Sequence, residues 1–164
     1  MPSSSILRIA IEMPKFLISQ VTRPIRAALR RPRPYPETQQ AFSQMASAAI
    51  THEIRAGYDH RFITLLFVTV DDRVFCRRYS YNEPSWHGVF RRDPVGQVKL
   101  DKTIVNITAR RPDDLTDILP AVDQAYADKL RQLGASFLMS GAVDPRAQDS
   151  TLELSLADKN AHLA

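Results

Sequence analysis

The chain has 164 residues, 44% of them hydrophobic and 24% charged, with a net charge of +4; this is enough for one domain with a proper core and short for two. No apolar run reaches the roughly 18 to 20 residues that a membrane-spanning helix needs, and the most apolar stretch, Ile63 to Val70, has strand length between charged flanks, so integral membrane association is not expected. The single cysteine, Cys76, excludes an intramolecular disulfide and fits a reducing compartment.

The positive charge is unevenly placed. Residues 1–34 hold seven basic groups against Glu12 alone, which leaves fifteen basic and seventeen acidic groups in the remainder. The globular part is close to neutral, and a nucleic-acid reading would rest on the tail alone. Residues 1–36 read as a separable basic extension: Pro14 and Pro24 interrupt any long helix, and Arg30-Arg31-Pro32-Arg33-Pro34-Tyr35-Pro36 is stiff and extended. Three readings stay open for it: a frayed or loosely docked extension, an organellar transit peptide, or an arm for an anionic surface. The first goes with a cytoplasmic protein and the second with an organellar one.

The domain is expected over residues 37–158, with 159–164 a loose tail. Glu37 to Ile50 spaces Phe42, Met45, Ala46 and Ala49 at helical intervals, with acid at its start. Thr51 to Ala56 reads as a polar strand or edge segment, and Gly57 to His60 as a turn. Phe62 to Val70 is nearly all apolar and rich in β-branched and aromatic residues, which predicts a central strand buried on both faces. Asp71-Asp72 supplies a tight hairpin before Val74, Phe75 and Cys76 resume the run.

The strand ends in Arg77-Arg78-Tyr79, and the connection beyond carries Tyr81, Trp86 and His87. Ser85 to Arg91 predicts a helical turn with Trp86, Val89 and Phe90 inward, ended by Asp93-Pro94. Gly96 to Leu100 and Ile104 to Ala109 predict two strands joined by a turn or bulge at Asp101-Lys102-Thr103. Pro112-Asp113-Asp114 starts a helix whose apolar residues run Leu115, Ile118, Leu119, Val122, Tyr126, Leu130 and Leu133, with Gly134 as its stop and a kink or a junction of two helices at Pro120. Ala135 to Asp149 reads as irregular, anchored by Phe137, Leu138 and Met139. Thr151 to Leu156 alternates strictly and predicts a last half-buried strand.

Chemistry is sparsely signalled. His52, His60, His87 and His162 are scattered, Cys76 has no companion thiolate, and no metal is expected. No P-loop, G-x-G-x-x-G or G-x-S-x-G motif occurs. Asp71-Asp72 and Asp113-Asp114 are accounted for by a turn and a helix start. Arg77 and Arg78 are strand neighbours, so at most one faces any given pocket. An arginine inside or at the mouth of a small barrel calls for an anionic partner such as the phosphate of a cofactor; alternatively both arginines are solvated or paired with Asp71, Asp72 or Glu83. Trp86 with Tyr79, Tyr81 and His87 either stacks a planar ring or caps the barrel core.

The order T-x-E-I, a glycine-bearing turn, a long apolar strand, V-F-C-R, S-W-x-x-x-F, A-V-D-Q-A-Y-A-D-K-L and S-T-L-E-L resembles an uncharacterised bacterial family, domain of unknown function 2255, over about residues 50–157. Its relatives are small flavin- and deazaflavin-binding split-barrel proteins. The resemblance implies a mainly β, α+β fold: a split β-barrel of about six strands flanked by helices, often a homodimer with the cofactor at the interface. It places the arginine of the family's Y-V-R-S strand on Arg77 and its tryptophan on Trp86. The D-x-A-Y-x-x-K helix falls on Asp123, Ala125, Tyr126 and Lys129, in a structural role. Flavin-binding relatives carry a G-R-x-[ST]-G turn where this chain has Gly57-Tyr58-Asp59-His60-Arg61; there Asp59 repels a phosphate while His60 and Arg61 offer positive charge.

The expectation is therefore a split-barrel protein that binds FMN or a deazaflavin and carries out a two-electron redox step. Arg77, Arg61 and His60 would serve the phosphate, and Trp86 and Tyr81 the ring. The competing expectation is a cofactor-free barrel that binds a small anionic or aromatic ligand, or a partner protein, without catalysis.

Overall fold

A computed structural model describes residues 30–161, together with Arg26. The remainder of the basic extension and His162 lie outside the described residues. Seven strands form one antiparallel sheet: β1 (His52–Ala56), β2 (Ile63–Thr64), β3 (Phe67–Val70), β4 (Arg73–Cys76), β5 (Val95–Leu100), β6 (Thr103–Arg110) and β7 (Leu152–Leu156). Their spatial order is β2-β1-β5-β6-β7-β4-β3. Five α-helices accompany them among the described residues: α1 (Gln39–Ala48), α2 (Trp86–Arg92), α3 (Leu115–Gln132), α4 (Met139–Ala142) and α5 (Pro145–Asp149). This is the α+β split-barrel class expected from the sequence, with seven strands rather than six.

The extra strand comes from the long apolar run. It is not a central strand: β2 lies at one edge of the sheet, paired with β1, and β3 lies at the other, paired with β4. Only Leu65 and Leu66 separate the two edges along the chain, and three Cα–Cα steps span at most about 11 Å. The sheet has to curl until its edges meet. Burial on both faces follows from the curl, since Phe67 and Cys76 enter the interior of the half-barrel while Leu66, Val68 and Phe75 pack outward under α3.

At the crossing the backbone leaves both ladders, and two side chains replace them. Leu65 donates its N–H to the His52 carbonyl (3.0 Å), and the Phe67 N–H donates to His52 Nδ1 (3.1 Å). The other ring nitrogen, Nε2, donates to the Ala46 carbonyl of α1 (2.8 Å), which fixes the tautomer. The ring itself stacks on Phe67 at 4.9 Å. From the outer face, the Tyr126 hydroxyl donates to the Leu66 carbonyl (3.2 Å) and accepts from the Arg77 backbone amide. Burial pushes the Tyr126 hydroxyl well above the ordinary phenol value, so it remains a donor.

Local sequence accounts for most of the remaining elements. The two-residue turns at Asp71-Asp72 and Asp101-Lys102 each place an aspartate at positive φ, 51° and 55°, a conformation that aspartate tolerates. Thr38 caps α1 and Ser85 caps α2, each accepting from a backbone amide three residues on. α2 lies flat on the sheet because Gly96 has no side chain; a Cβ there would overlap the Arg55 carbonyl and come within 2.6 Å of the Phe90 ring. α3 ends at Gly134 (φ 67°), where Ala135 and Gly134 donate back to Leu130 and Arg131.

Pro120 does not divide α3, which runs unbroken from Leu115 to Gln132. Pro120 and Thr116 are both exposed, so the carbonyl that loses its partner faces water. The stretch 135–149 is also more regular than expected. Ser136–Leu138 forms a 3₁₀ turn that continues into α4, and Asp144-Pro145 starts α5, with the Asp144 carboxylate accepting from the Arg146 amide (2.9 Å).

The described end of the basic extension is docked. Arg30 pairs with Asp101 (3.3 Å), the Arg33 amide donates to Thr103 Oγ1 (2.9 Å), and the Tyr35 hydroxyl donates to the Ala157 carbonyl (3.0 Å) while accepting from the Asn106 amide (3.1 Å). Residues 30–36 form an extended strap over the sheet. Polyproline-like backbone suits this course, because it leaves its own polar groups for partners elsewhere.

Replacing Tyr126 by phenylalanine strips the Leu66 carbonyl and the Arg77 amide of their shared partner in a dry site. Urea unfolding of Tyr126→Phe is expected to show a loss of about 1–3 kcal/mol. A loss within error would mean that the crossing does not depend on this hydroxyl.

Candidate functional site: an apolar cleft at the barrel crossing

The crossing opens onto a cleft. Its volume is about 760 Å³, and its walls are Leu65 and Leu66 from the crossing, Leu130 and Leu133 from the last turns of α3, Leu138 and Ala142 from the following segment, and the rings of Tyr79 and Tyr81. The polar residues on its lining, the two tyrosines apart, are few: Thr64, Ser140 and Asp144. Two large residues on this lining are exposed, Tyr79 at 52% and Leu138 at 43%. Tyr79 is divided in character: much of its ring is open, while its hydroxyl lies among Cys76, Arg77 and Tyr126 and is raised by burial above the ordinary phenol value. A volume of this size with an apolar wall and few polar groups suits a small organic molecule.

Behind the cleft lies Arg77, which is fully buried. Its Nη1 pairs with Asp123 (2.6 Å) and donates to the Ala142 carbonyl (2.8 Å), and its Nε donates to Thr151 Oγ1 (3.0 Å). Nη2 has no hydrogen-bonding partner among the described residues, and the guanidinium lies 5.0 Å from the centre of the Tyr126 ring. Asp123 is held on its other oxygen by Gln148 (2.7 Å). The charge of Arg77 is thus matched by an acid of this chain, and the group joins the end of β4 to α3, α4 and the residue that precedes β7.

Arg78, on the opposite face, organises the connection that follows. It donates to the Ser80 carbonyl (2.7 Å) and pairs with Glu83 (3.0 Å), and its guanidinium lies 5.1 Å from the centre of the Tyr81 ring. The Ser85 hydroxyl and then Arg78 hold the Glu83 carboxylate below its usual range. Arg146 of α5 covers Tyr81 at 4.1 Å. His87, on the buried face of α2, donates from Nε2 to the Ser150 carbonyl (3.0 Å).

The expected site residues are dispersed. Tyr81 is on the cleft wall. Arg77 is behind it, reaching it only through Ala142. Trp86 packs edge-on against Phe90 (6.1 Å) and His87 (5.7 Å) over the barrel core, the capping role that the sequence left open. His60 and Arg61 are exposed in the turn that leaves the Ala56 end of β1, whereas Leu65 meets the His52 end of the same strand. Tyr79, Leu66, Leu130, Leu133 and Leu138 complete the cleft. Their sequence signal was present but reads as ordinary core: helix periodicity for Leu130 and Leu133, and a short apolar cluster for Leu138. Among the described residues no group of three or more histidines, cysteines or acids is placed to hold a metal ion, and Cys76 is a buried thiol whose pKa burial raises. No helix among the described residues is long and apolar enough to cross a membrane.

Burial, first, and then Arg78 and Arg91 lower His87 below its ordinary value of 6.5. Folding favours the neutral ring, so this contribution is complete above pH 6.5 and is lost as pH falls through that value toward the folded pKa. Stability of the wild type is expected to decline as the pH falls below about 6.5, with a shallower slope in His87→Gln. Equal slopes from parallel denaturation series would show that His87 is not charged on unfolding in that window.

Among curated proteins nothing matches this chain. A family model does, across nearly the whole of the sheet and its helices, from Thr38 at the cap of α1 to Leu154 in β7. The chain belongs to the family described as an uncharacterized protein conserved in bacteria, DUF2255, which it matches over residues 38–154.

Proposed function

We propose that this protein binds a small apolar or planar molecule in the cleft at the barrel crossing, with Tyr79 and Tyr81 as its aromatic wall. The supporting observation is the cleft itself: about 760 Å³ of leucine- and tyrosine-lined space kept open beside a fully packed core. Two half-exposed aromatic and aliphatic groups on its lining give a ligand apolar surface to cover, at about 25 cal/mol per Å².

A flavin-type ring, FMN or a deazaflavin, is the occupant that the family resemblance suggests. Its ring fits the cleft better than its phosphate fits Arg77. That guanidinium is dry and already paired with Asp123, so it holds no free charge for a second anion. In this reading Tyr79 and Tyr81 flank the ring, and Trp86, His60 and Arg61 do not touch it. An oxidoreductase role would draw on the hydride chemistry that the ring supplies when bound. What this chain contributes is a dry apolar seat and the tyrosine rings that orient the ligand.

The test is a fluorescence titration of the purified protein with the neutral dye N-phenyl-1-naphthylamine, FMN and a deazaflavin. Saturable binding of at least one is expected, weakened tenfold or more in Tyr79→Ala and in Leu133→Gln. Absence of binding of all three by a protein with a cooperative unfolding transition would remove the proposal. Binding of the dye without either flavin would assign the cleft to a non-flavin ligand. Arg77→Ala serves as a structural control: about 3 kcal/mol of stability should be lost, because Asp123 is left without its partner.

A further inference from the structure

A second hollow adjoins the cleft, and Tyr81 lines both. Its volume is about 330 Å³, with Arg78, His87, Arg91, Arg146 and Ser150 around it. We infer that Arg91 and Arg146, converging beside Tyr81, form a subsite for the phosphate group of the ligand whose apolar part occupies the cleft. This inference rests on the ligand-binding reading of the cleft and adds to it the chemical class of the ligand: a phosphorylated molecule with an apolar or planar body.

The charges around the hollow support it. Arg78 is neutralised by Glu83 (3.0 Å), and Asp149, the acid on the hollow's lining, is engaged by Arg111 (2.9 Å). Asp144, on the cleft side, accepts from the Arg146 amide as the cap of α5. Among the described residues no acid pairs with the guanidinium of Arg91 or of Arg146. Arg146 is nevertheless held over the Tyr81 ring, 4.1 Å from its centre, so it is positioned before any anion arrives. Beyond His87 a further hollow of about 440 Å³ carries Arg92 and Arg110 against Asp113, with Arg111 and Asp149 paired to each other, which extends the positive field. Burial is the first cause of the lowered pKa of His87, and Arg78 and Arg91 add to it against Glu83.

Guanidinium groups present planar pairs of N–H donors that match phosphate oxygens, and two such forks without acid partners beside an aromatic ring make a stronger anion site than isolated surface lysines. Tyr81 then has two tasks: its ring bounds the apolar cleft, and it holds Arg146 at the edge where a phosphate would emerge.

The experiment uses the full chain and two independent readouts. In the first, the His87 ring resonances are followed by NMR through a pH titration with and without pyrophosphate, with sodium chloride matched for ionic strength. Pyrophosphate, but not chloride, is expected to raise the His87 pKa, and both Arg91→Gln and Arg146→Gln should weaken pyrophosphate binding at least tenfold. In the second, FMN is compared with riboflavin, which lacks only the phosphate, and 1-anilinonaphthalene-8-sulfonate with N-phenyl-1-naphthylamine. The anionic member of each bound pair should bind at least tenfold more tightly, and the two arginine variants should erase that difference without weakening the neutral member. Neutral probes that bind, together with no response to pyrophosphate beyond that to chloride, would overturn the subsite and leave the cleft standing. A pyrophosphate response lost in both variants, with no neutral probe bound, would support the subsite and overturn the reading of the cleft. A response to inorganic pyrophosphate with no preference for the anionic probes would assign the arginines to a free anion and overturn the link to the cleft ligand.

Discussion

The fold depends on a crossing of two residues. Leu65 and Leu66 carry the chain from one edge of the sheet to the other, and everything between those edges, five further strands, has to fit within the span they allow. Such a crossing is costly by itself, because the backbone leaves its ladders in a dry region. His52 and Tyr126 meet that cost from opposite sides. His52 offers its carbonyl and one ring nitrogen to the crossing and anchors the other nitrogen in α1; Tyr126 offers its hydroxyl from α3. The closure of the half-barrel, the seating of α1 and the seating of α3 are consequently one arrangement.

Arginines do similar work farther along the chain. Arg73 binds Asp114 at 2.7 and 2.8 Å and Glu153 at 2.8 and 2.7 Å, tying β4 to the start of α3 and to β7. Arg77, two turns of the pleat later, ties the same strand to the middle of α3 and to the segment after it. Both draw on acids within this chain. Arg91 and Arg146, which pair with no acid among the described residues, leave positive charge beside Tyr81 that is available to something else.

Much of the fold was legible in the residues. Phe42, Met45, Ala46 and Ala49 give α1 by their spacing, Asp71-Asp72 gives a hairpin, Asp101-Lys102-Thr103 gives a turn or bulge that is a two-residue turn in the fold, Gly134 gives the end of α3, and Leu152 to Leu156 alternates as a half-buried strand. The crossing was hidden because Phe62 to Val70 contains no glycine, proline or charge at which to break: continuity of hydrophobicity looks the same in a central strand and in a strand that changes edges. The cleft was hidden for a related reason. Leu66, Leu130 and Leu133 carry the periodicity of core residues, and nothing local distinguishes a leucine that meets another leucine from one that meets a cavity. The roles of the two neighbouring arginines were separable only in part: alternation puts Arg77 and Arg78 on opposite faces, but the acid that each would find, Asp123 at 46 positions' remove and Glu83 at five, depends on the tertiary fold. Trp86 shows the limit of an aromatic as a site marker, since a ring that caps a core and a ring that stacks a ligand have the same sequence.

The position of the cleft has a mechanical meaning. Its wall includes Leu65 and Leu66, so a molecule seated there rests on the joint that holds the half-barrel shut rather than on a rigid strand beside it. Occupancy and closure are then linked quantities: whatever binds only the closed form stabilises the joint by RT ln(1 + [L]/Kd), and loosening the joint weakens binding to the extent that it depletes the closed form. For a ligand of this cleft, filling the cavity and keeping the sheet curled would be two views of one equilibrium.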